Sequence, residues 1–407
     1  TDSSPIASMS DASLHTSQIC PRTQTALAHA RCPRYHRIVR KAHTQPHDDH
    51  SESPSLRNLA HLTRATVSLQ KRIVTSWREL AGGTHRRDDQ RKTLIACSAG
   101  VDSSALVLAL ASHVDHRLLV VAHIEHDLRE PPLPAVDTER ARELAARCEV
   151  EFTHAKVQVK SKKGSAEAAA RNARYASLIA LAKQHECNFI ATAHHADDAL
   201  ETLLMRLFRG SGPTGLAALR PSITMQGVRI IRPLLMTNRA GTQAICNAHA
   251  WEPARDYTNE LTGPKAPLRS RVRNELSPIV LSLFPSAREA SVRTARSQSQ
   301  IASLLKHRAR AALNNHLHDR VPIDALRSLD DASLHTALRL LVARATSSRK
   351  LDRLSARTIE RVIARIRSKS DHAATFDLAA SRLIITRTHV LVQPFDAGEA
   401  ATNNPAD

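Results

Sequence analysis

The stretch TLIACSAGVDSSALVLALA, Thr93 to Ala111, decides how the fold is read. Thr93–Cys97 is a short apolar run that follows charged residues, so it reads as a buried strand. Ser103–His113 is apolar and helix-like. Between them lies Ser98-Ala99-Gly100-Val101-Asp102-Ser103. Small residues at a strand-to-helix turn let the backbone approach an anion. Successive N–H groups and the helix N-terminus then cradle phosphate. Ser98 and Ser103 offer hydroxyl donors. Asp102 would repel phosphate unless a cation lay between them, which makes it a candidate Mg²⁺ ligand or a poised base. A Walker A loop would need G-x-x-x-x-G-K-[ST], which is absent. The plain alternative is an ordinary turn with a serine cap.

Outward from this turn, strands alternate with helices. Leu118–Ile124, Glu151–Val159, Asn188–His194 and Arg229–Leu235 read as strands. Leu69–Leu80, Pro134–Cys148, Ser165–His185 and Ala196–Phe208 read as helices. This order predicts an α/β fold with a doubly wound parallel sheet. Residues 265–375 read as a basic helical region, and Phe376–Leu378 with Arg382–Pro394 as a closing β-hairpin before a tail. The expected layout is an N-terminal extension over 1–65, a nucleotide-binding domain over 66–264, the helical region over 265–375, and hairpin plus tail over 376–407. Residues 1–65 are rich in Ser, Thr, His, Arg and Pro and read as disordered; a transit peptide or a mis-assigned start codon are the alternatives.

The chain has 407 residues, with 58 Lys and Arg against 39 Asp and Glu. A net charge of +19 points to a polyanionic partner, since cations that neutralise phosphates release counterions. The surplus is concentrated: residues 265–370 hold 22 basic and 8 acidic side chains. The longest apolar run is seven residues, Ala105 to Ala111, against about 20 for a membrane span, so no membrane is expected. The start lacks the pattern of a secretory signal. Six scattered cysteines, none in C-x-x-C, weaken zinc-ribbon, iron–sulfur and persulfide readings and fit a reducing, cytoplasmic setting.

Other residues stand out by position. Asp198 and Glu201 are i and i+3 on the helix that leaves strand 188–194, so they share a face at the edge where open α/β sheets bind ligands. Arg171 and Arg174 share a face in the same way. His194, His195 and Asp197 lack a third ligand at metal spacing. His123 and His126 flank a strand end, where a core role is the alternative. Gly210-Ser211-Gly212-Pro213-Thr214-Gly215 spells G-x-G-x-x-G but follows a helix, so a dinucleotide reading fails its context. Eleven aromatic residues leave few stacking platforms, so RNA recognition would rest on shape and phosphate.

The hexapeptide resembles the S-G-G-x-D-S loop of the PP-loop ATP pyrophosphatases, which have an adenine nucleotide alpha hydrolase-like fold. Further segments are similar to one branch, the tRNA(Ile)-lysidine synthases. His123-Ile124-Glu125-His126-Asp127-Leu128-Arg129 resembles H-x-x-H-G-L-R, and Glu167 to Tyr175 resembles E-x-x-A-R-x-x-R-Y. Thr192 to Thr202 resembles T-A-H-H-x-D-D-Q-x-E-T. Arg209 to Leu216, Arg232-Pro233-Leu234-Leu235, Asp256 with Asn259, and Arg269-Ser270-Arg271-Val272-Arg273 follow in order. The match covers about residues 90–280. Ala99 replaces a loop glycine, Asp127 a glycine, Ala199 a glutamine and Ser270 an asparagine; no charged motif residue is lost. An alanine at a left-handed loop position would strain the turn by about 1 kcal/mol or tighten the cradle.

The resemblance implies an AMP-forming ligase with ATP and Mg²⁺. ATP adenylates the wobble cytidine of a CAU-anticodon isoleucine tRNA, and L-lysine then displaces AMP. It implies ATP binding by Ser98 to Ser103, catalysis by Asp102, Asp198, Glu201, Arg171 and Arg174, and His123, His126, His194 and His195 near the base. Asp198 and Glu201 would serve the amine or Mg²⁺, and Arg269, Arg271 and Arg273 would touch tRNA. A homodimer stays open. The alternatives are a tRNA 2-thiolating enzyme and a non-catalytic tRNA-binding descendant, the latter kept open by Ala99.

Overall fold

A computed structural model describes residues 62–126, 133–158, 166–217, 219–254, 261–314, 320–345, 355–368, 370, 372–378 and 381–394. Almost all of the N-terminal extension, together with Asp127, Asp256 and Asn259, lies outside these residues. In chain order the first part comprises α1 (Arg64–Leu80), β1 (Thr93–Ala96), α2 (Val101–Ala111), β2 (Leu119–His126), α3 (Leu133–Arg147), β3 (Glu151–Val157), α4 (Ala166–Gln184), β4 (Phe189–Ala191), α5 (Ala196–Leu207), β5 (Ser222–Met225), β6 (Val228–Ile231) and α6 (Arg239–Ala248). The sheet order is β3-β2-β1-β4-β6-β5. All neighbours run parallel except β5, which pairs antiparallel with β6.

Both faces of the sheet are buried at its central strands, which is why β1, β2, β4 and β6 read as apolar runs. Leu94, Val120, Ile190 and Ile230 point to one side, where α4 supplies Tyr175, Leu178 and Ile179. Ile95, Val121, Ala191 and Ile231 point to the other, against Trp77, Leu106, Leu144 and Ile245 from α1, α2, α3 and α6. Handedness explains the division. From β1 to β3 the chain moves one way across the sheet; it then returns to place β4 on the far side of β1. Right-handed crossovers put helices for opposite directions on opposite faces. The reversal makes a switch point where the loops after β1 and β4 diverge, the usual seat of a ligand in such sheets.

Three features depart from expectation. Strand β5 arises because Gln226 and Gly227, at φ of 48° and 85°, close a tight hairpin onto β6; the sheet is therefore mixed at one edge. Strand β6 stops at Ile231, and Pro233, which has no N–H to give a ladder, opens a 3₁₀ turn over Pro233–Met236. Helix α6 was unexpected; Asn238 caps it, its Oδ1 accepting from the Gly241 N–H at 2.9 Å.

The second part comprises α7 (Leu268–Arg271), a π-helical turn (Val272–Leu276), α8 (Ser277–Leu283), α9 (Ala287–Asn314), β7 (Arg320–Pro322), α10 (Ile323–Arg327), α11 (Asp331–Ala345), α12 (Ala356–Arg367), β8 (Ala374–Leu378), β9 (Ser381–Ile385) and β10 (His389–Pro394). The expected hairpin is instead part of a four-stranded antiparallel sheet, ordered β7-β10-β9-β8. The run Arg382–Pro394 breaks because Thr386 accepts the His389 N–H on its hydroxyl at 3.0 Å and turns the chain. Ala309 and Leu313 at the end of α9 join Leu338, Ile366, Leu383 and Val390 in a core of this region. No helix among the described residues is long and apolar enough to cross a membrane.

Helix α2 is buried on nearly all sides because it lies between the sheet and helices α1 and α6. Leu106→Ala in this helix is expected to lower stability by about 2–5 kcal/mol. The check is a reduced urea midpoint at unchanged slope.

Candidate functional site

At the end of β1 the backbone turns sharply. Ala99 is fully buried with φ at +63°, the left-handed conformation that the sequence left conditional. Gly100 caps α2, and the Ser103 hydroxyl donates to the Gly100 carbonyl at 3.0 Å while accepting from the Ser98 N–H at 3.1 Å. Ser103 thus shapes the loop through its own hydroxyl. The Ala254 N–H donates to the Ala99 carbonyl at 2.9 Å. Arg140 pins this covering segment from α3, its guanidinium 4.3 Å from the Trp251 ring centroid and its Nε 2.8 Å from the Glu252 carbonyl.

The loop opens on a cavity of about 1240 Å³ at the switch point. Its lining includes Asp102, His123, Arg174, His194, Arg239 and Trp251. His123 is buried, and its Nδ1 lies 2.9 Å from the Cys97 carbonyl. That carbonyl can only accept, so Nδ1 carries the proton. His194 sits 3.0 Å from the Thr192 hydroxyl. Burial, aided by Arg232 and Arg171, pushes the His194 imidazole down to about 3, although Asp198 opposes the shift. Arg171 and Arg174 flank the Tyr175 ring at 5.4 and 6.0 Å.

The next histidine behaves oppositely. His195 is fully buried, with Nε2 3.3 Å from Asp102 and 3.6 Å from Asp198, and Nδ1 3.5 Å from Asp197. Burial disfavours its charge, but the bond to Asp102 and the three carboxylates outweigh burial and raise its pKa. Asp102 also accepts from the Thr242 hydroxyl at 2.6 Å. Burial works against the Asp102 charge, yet His195 and Thr242 hold the carboxyl below its usual value. The loops after β1 and β4 therefore meet through one buried imidazole.

Asp198 and Glu201 do share a face, and that face is matched by guanidinium groups. Arg269 donates to Asp198 at 2.7 Å and to Glu201 at 3.0 Å. Arg273 donates to Glu201 at 2.6 Å. Asp198 is held at about 2: burial raises it, and His195 with Arg269 more than offset that. Arg271 pairs with Glu275 at 3.2 Å. The three arginines expected at tRNA are thus engaged within the chain, two of them bracing the turn 268–276 against α5. The i, i+4 spacing of Arg269 and Arg273 against the i, i+3 spacing of Asp198 and Glu201 was the available signal. Thr242 and Trp251 were missed because α6 and its following segment were not foreseen. His126 closes β2.

Among the described residues no three His, Cys, Asp or Glu side chains are placed to hold a metal by themselves. The donor set fits Mg²⁺ held by one carboxylate, Asp102, together with substrate phosphates.

Comparison with known proteins gives a consistent result. The PP-loop domain family matches residues 68–280, just over half of the chain. A tRNA(Ile)-lysidine synthase of Bordetella bronchiseptica is 35% identical over 247 residues, 59% of this chain and 69% of that protein. One from Geobacter sulfurreducens is 37% identical, over 56% of this chain and 48% of its own length. One from Edwardsiella ictaluri is 33% identical, over 68% and 61%. The alignment thus spans about half of the Geobacter protein and about two thirds of the Bordetella one.

Two outcomes are expected from the geometry. Ala99→Gly relieves the left-handed backbone but removes a buried methyl, so stability changes by less than about 1 kcal/mol. Ala99→Val forces a β-branched residue into the same conformation and loses about 3 kcal/mol. Denaturant unfolding reads both. The second outcome concerns pH. The unfolded chain binds protons near 6.5 at histidine and 3.8 at aspartate, whereas folded His194 and Asp198 resist until about 3 and 2. The His194 contribution is lost as pH falls from about 6.5 to about 3, and the Asp198 contribution as pH falls from 3.8 to about 2. His195, raised in the fold, contributes fully below 6.5 and loses its contribution as pH rises through its folded value. Tm measured from about pH 3 to 9 is expected to peak near neutrality.

Proposed function

Because the chain belongs to the PP-loop family, and within it to the tRNA(Ile)-lysidine synthases, we propose that it joins L-lysine to the wobble cytidine of a CAU-anticodon isoleucine tRNA. The observation that carries the reading is the union, at the sheet's switch point, of an anion-cradling turn with Asp102 and Asp198 about a single buried imidazole. A triphosphate enters the cavity with its phosphates at the turn 98–103. Three carboxylates would repel it, and the positive charge of His195 offsets that repulsion.

The cytidine 2-oxygen attacks the α-phosphorus, and the bond to the β-phosphate oxygen breaks with release of pyrophosphate. Asp102 is the carboxylate to hold Mg²⁺, which when bound neutralises charge on the departing phosphates. Arg174 and the helix N-terminus of α2 add donors for the same charge. The lysine amine then attacks carbon 2 of the base, loses a proton and expels AMP. That proton passes to solvent, because His194 at the cavity wall, pushed down to about 3, is too weak a base to hold it. Asp198 and Glu201 are the carboxylates to receive the amine, and since Arg269 and Arg273 already engage them, a guanidinium must give way as the amine enters.

The four cysteines among the described residues argue against sulfur transfer. Cys97, Cys148, Cys187 and Cys246 are buried, and burial pushes their thiols up, to about 12 for Cys148 and Cys246. A thiolate nucleophile is disfavoured at each.

The expected result is AMP and pyrophosphate release only when ATP and tRNA are present, with lysine entering the product. Asp102→Asn should slow AMP release about 100-fold or more while tRNA retention on filters is unchanged. AMP release without tRNA, or at the native rate in the variant, would count against the assignment.

A further inference from the structure

Cations in this chain fall into two sets. Arg269, Arg271, Arg273 and Arg288 are each matched by a carboxylate. Arg171, Arg174, Arg220, Arg232, Lys306 and Arg310 have no carboxylate partner among the described residues. The second set is spatially ordered. Arg174 lines the cavity, and Arg171 lies one turn before it on α4. Arg171 and Arg220 both bear on buried Arg232, whose Nη1 donates to the Arg220 carbonyl at 2.6 Å. Arg220 and Arg310 in turn bear on half-buried Lys306. Burial first, and then these neighbouring cations, depress Arg232 and Lys306, as expected where positive charges crowd without counter-ions.

The rotation of α9 places its share of the set. Ser291, Ala295, Ala302, Ala309 and Leu313 are buried, and their spacing of four and seven residues fixes the inward stripe. At 100° per residue, Arg296, Ser299, Ser303, Lys306 and Arg310 then fall on one flank. From Arg296 to Arg310 this flank is about 21 Å long. It carries three cations and two hydroxyls, the donors that phosphate oxygens accept.

We propose that this file of unmatched cations, from Arg174 at the cavity wall through Arg171 and Arg220 to Lys306 and Arg310 of α9, is the track on which an RNA phosphodiester backbone lies while its base occupies the cavity. The proposal rests on reading the chain as a tRNA-modifying enzyme and moves the RNA contact away from Arg269, Arg271 and Arg273. Repulsion among these cations works against the folded chain. A polyanion laid across them removes it and releases its own counterions.

The test uses the full chain with unmodified CAU-anticodon isoleucine tRNA, in filter binding across a range of KCl concentrations. A triple variant, Arg220→Gln with Lys306→Gln and Arg310→Gln, is expected to bind at least about 10-fold more weakly at 0.1 M salt, with the slope of log K against log salt shallower by about two. Each single change should lower the slope by about 0.7. Because these groups repel one another, Tm should hold or rise, whereas structural residues would lower it. Arg293→Gln with Arg308→Gln, on another flank of α9, should leave the slope unchanged. Native binding that the triple variant matches would overturn the track alone. A native chain that retains no tRNA would overturn the functional reading with it.

Discussion

A buried histidine between three carboxylates is the contact on which the rest of this molecule depends. His195 joins the turn after β1, through Asp102, to the first turn of α5, through Asp197 and Asp198. A neutral imidazole there would leave the acids to repel one another across a few ångströms. A neutral side chain of another type would also leave buried charges unmatched, a loss of several kcal/mol in comparable settings. One ring therefore ties the nucleotide turn to the acidic helix. The adjacent His194, pushed down to about 3, is neutral at the same pH. Two neighbours in sequence thus differ in basicity by where their rings point.

The guanidinium pair on α5 extends this logic. Glu201 is nearly inaccessible to solvent and Asp198 almost so, yet Arg269 and Arg273 answer both acids from a segment that contains a π-helical turn. A π turn inserts a residue into the helical ladder, and such insertions recur at functional sites.

Much of this was readable from residue types and spacing. The central strands announced themselves as apolar runs because both faces are covered, and the turn at Ala99 by its small residues. The edge was harder. Ser222–Met225 is half exposed and only four residues long, so its apolar signal is weak, and the Gln226–Gly227 turn alone marked it. Helix α6 lacks an acidic first turn and carries Gly241, which blurs its start. The site was legible as a list of acids and histidines but not as a network. Periodicity shows that Asp198 and Glu201 share a face; it cannot show which distant cation meets them. The resemblance implied that Arg269 and Arg273 face tRNA, whereas tertiary packing turns both onto Asp198 and Glu201.

Helix α9, at 28 residues, packs beside α5 early in its course and ends among the side chains of the C-terminal core. Its inward stripe is mostly alanine, so it approaches both regions closely and leaves little slack. A protease cut or stop codon near residue 314 would strip the cover from Ala309 and Leu313 and leave a sticky seam on the remaining half. The ATP-handling portion of this chain is consequently a poor candidate for expression in isolation, and gene fusions or splits are better placed outside the span of that rod.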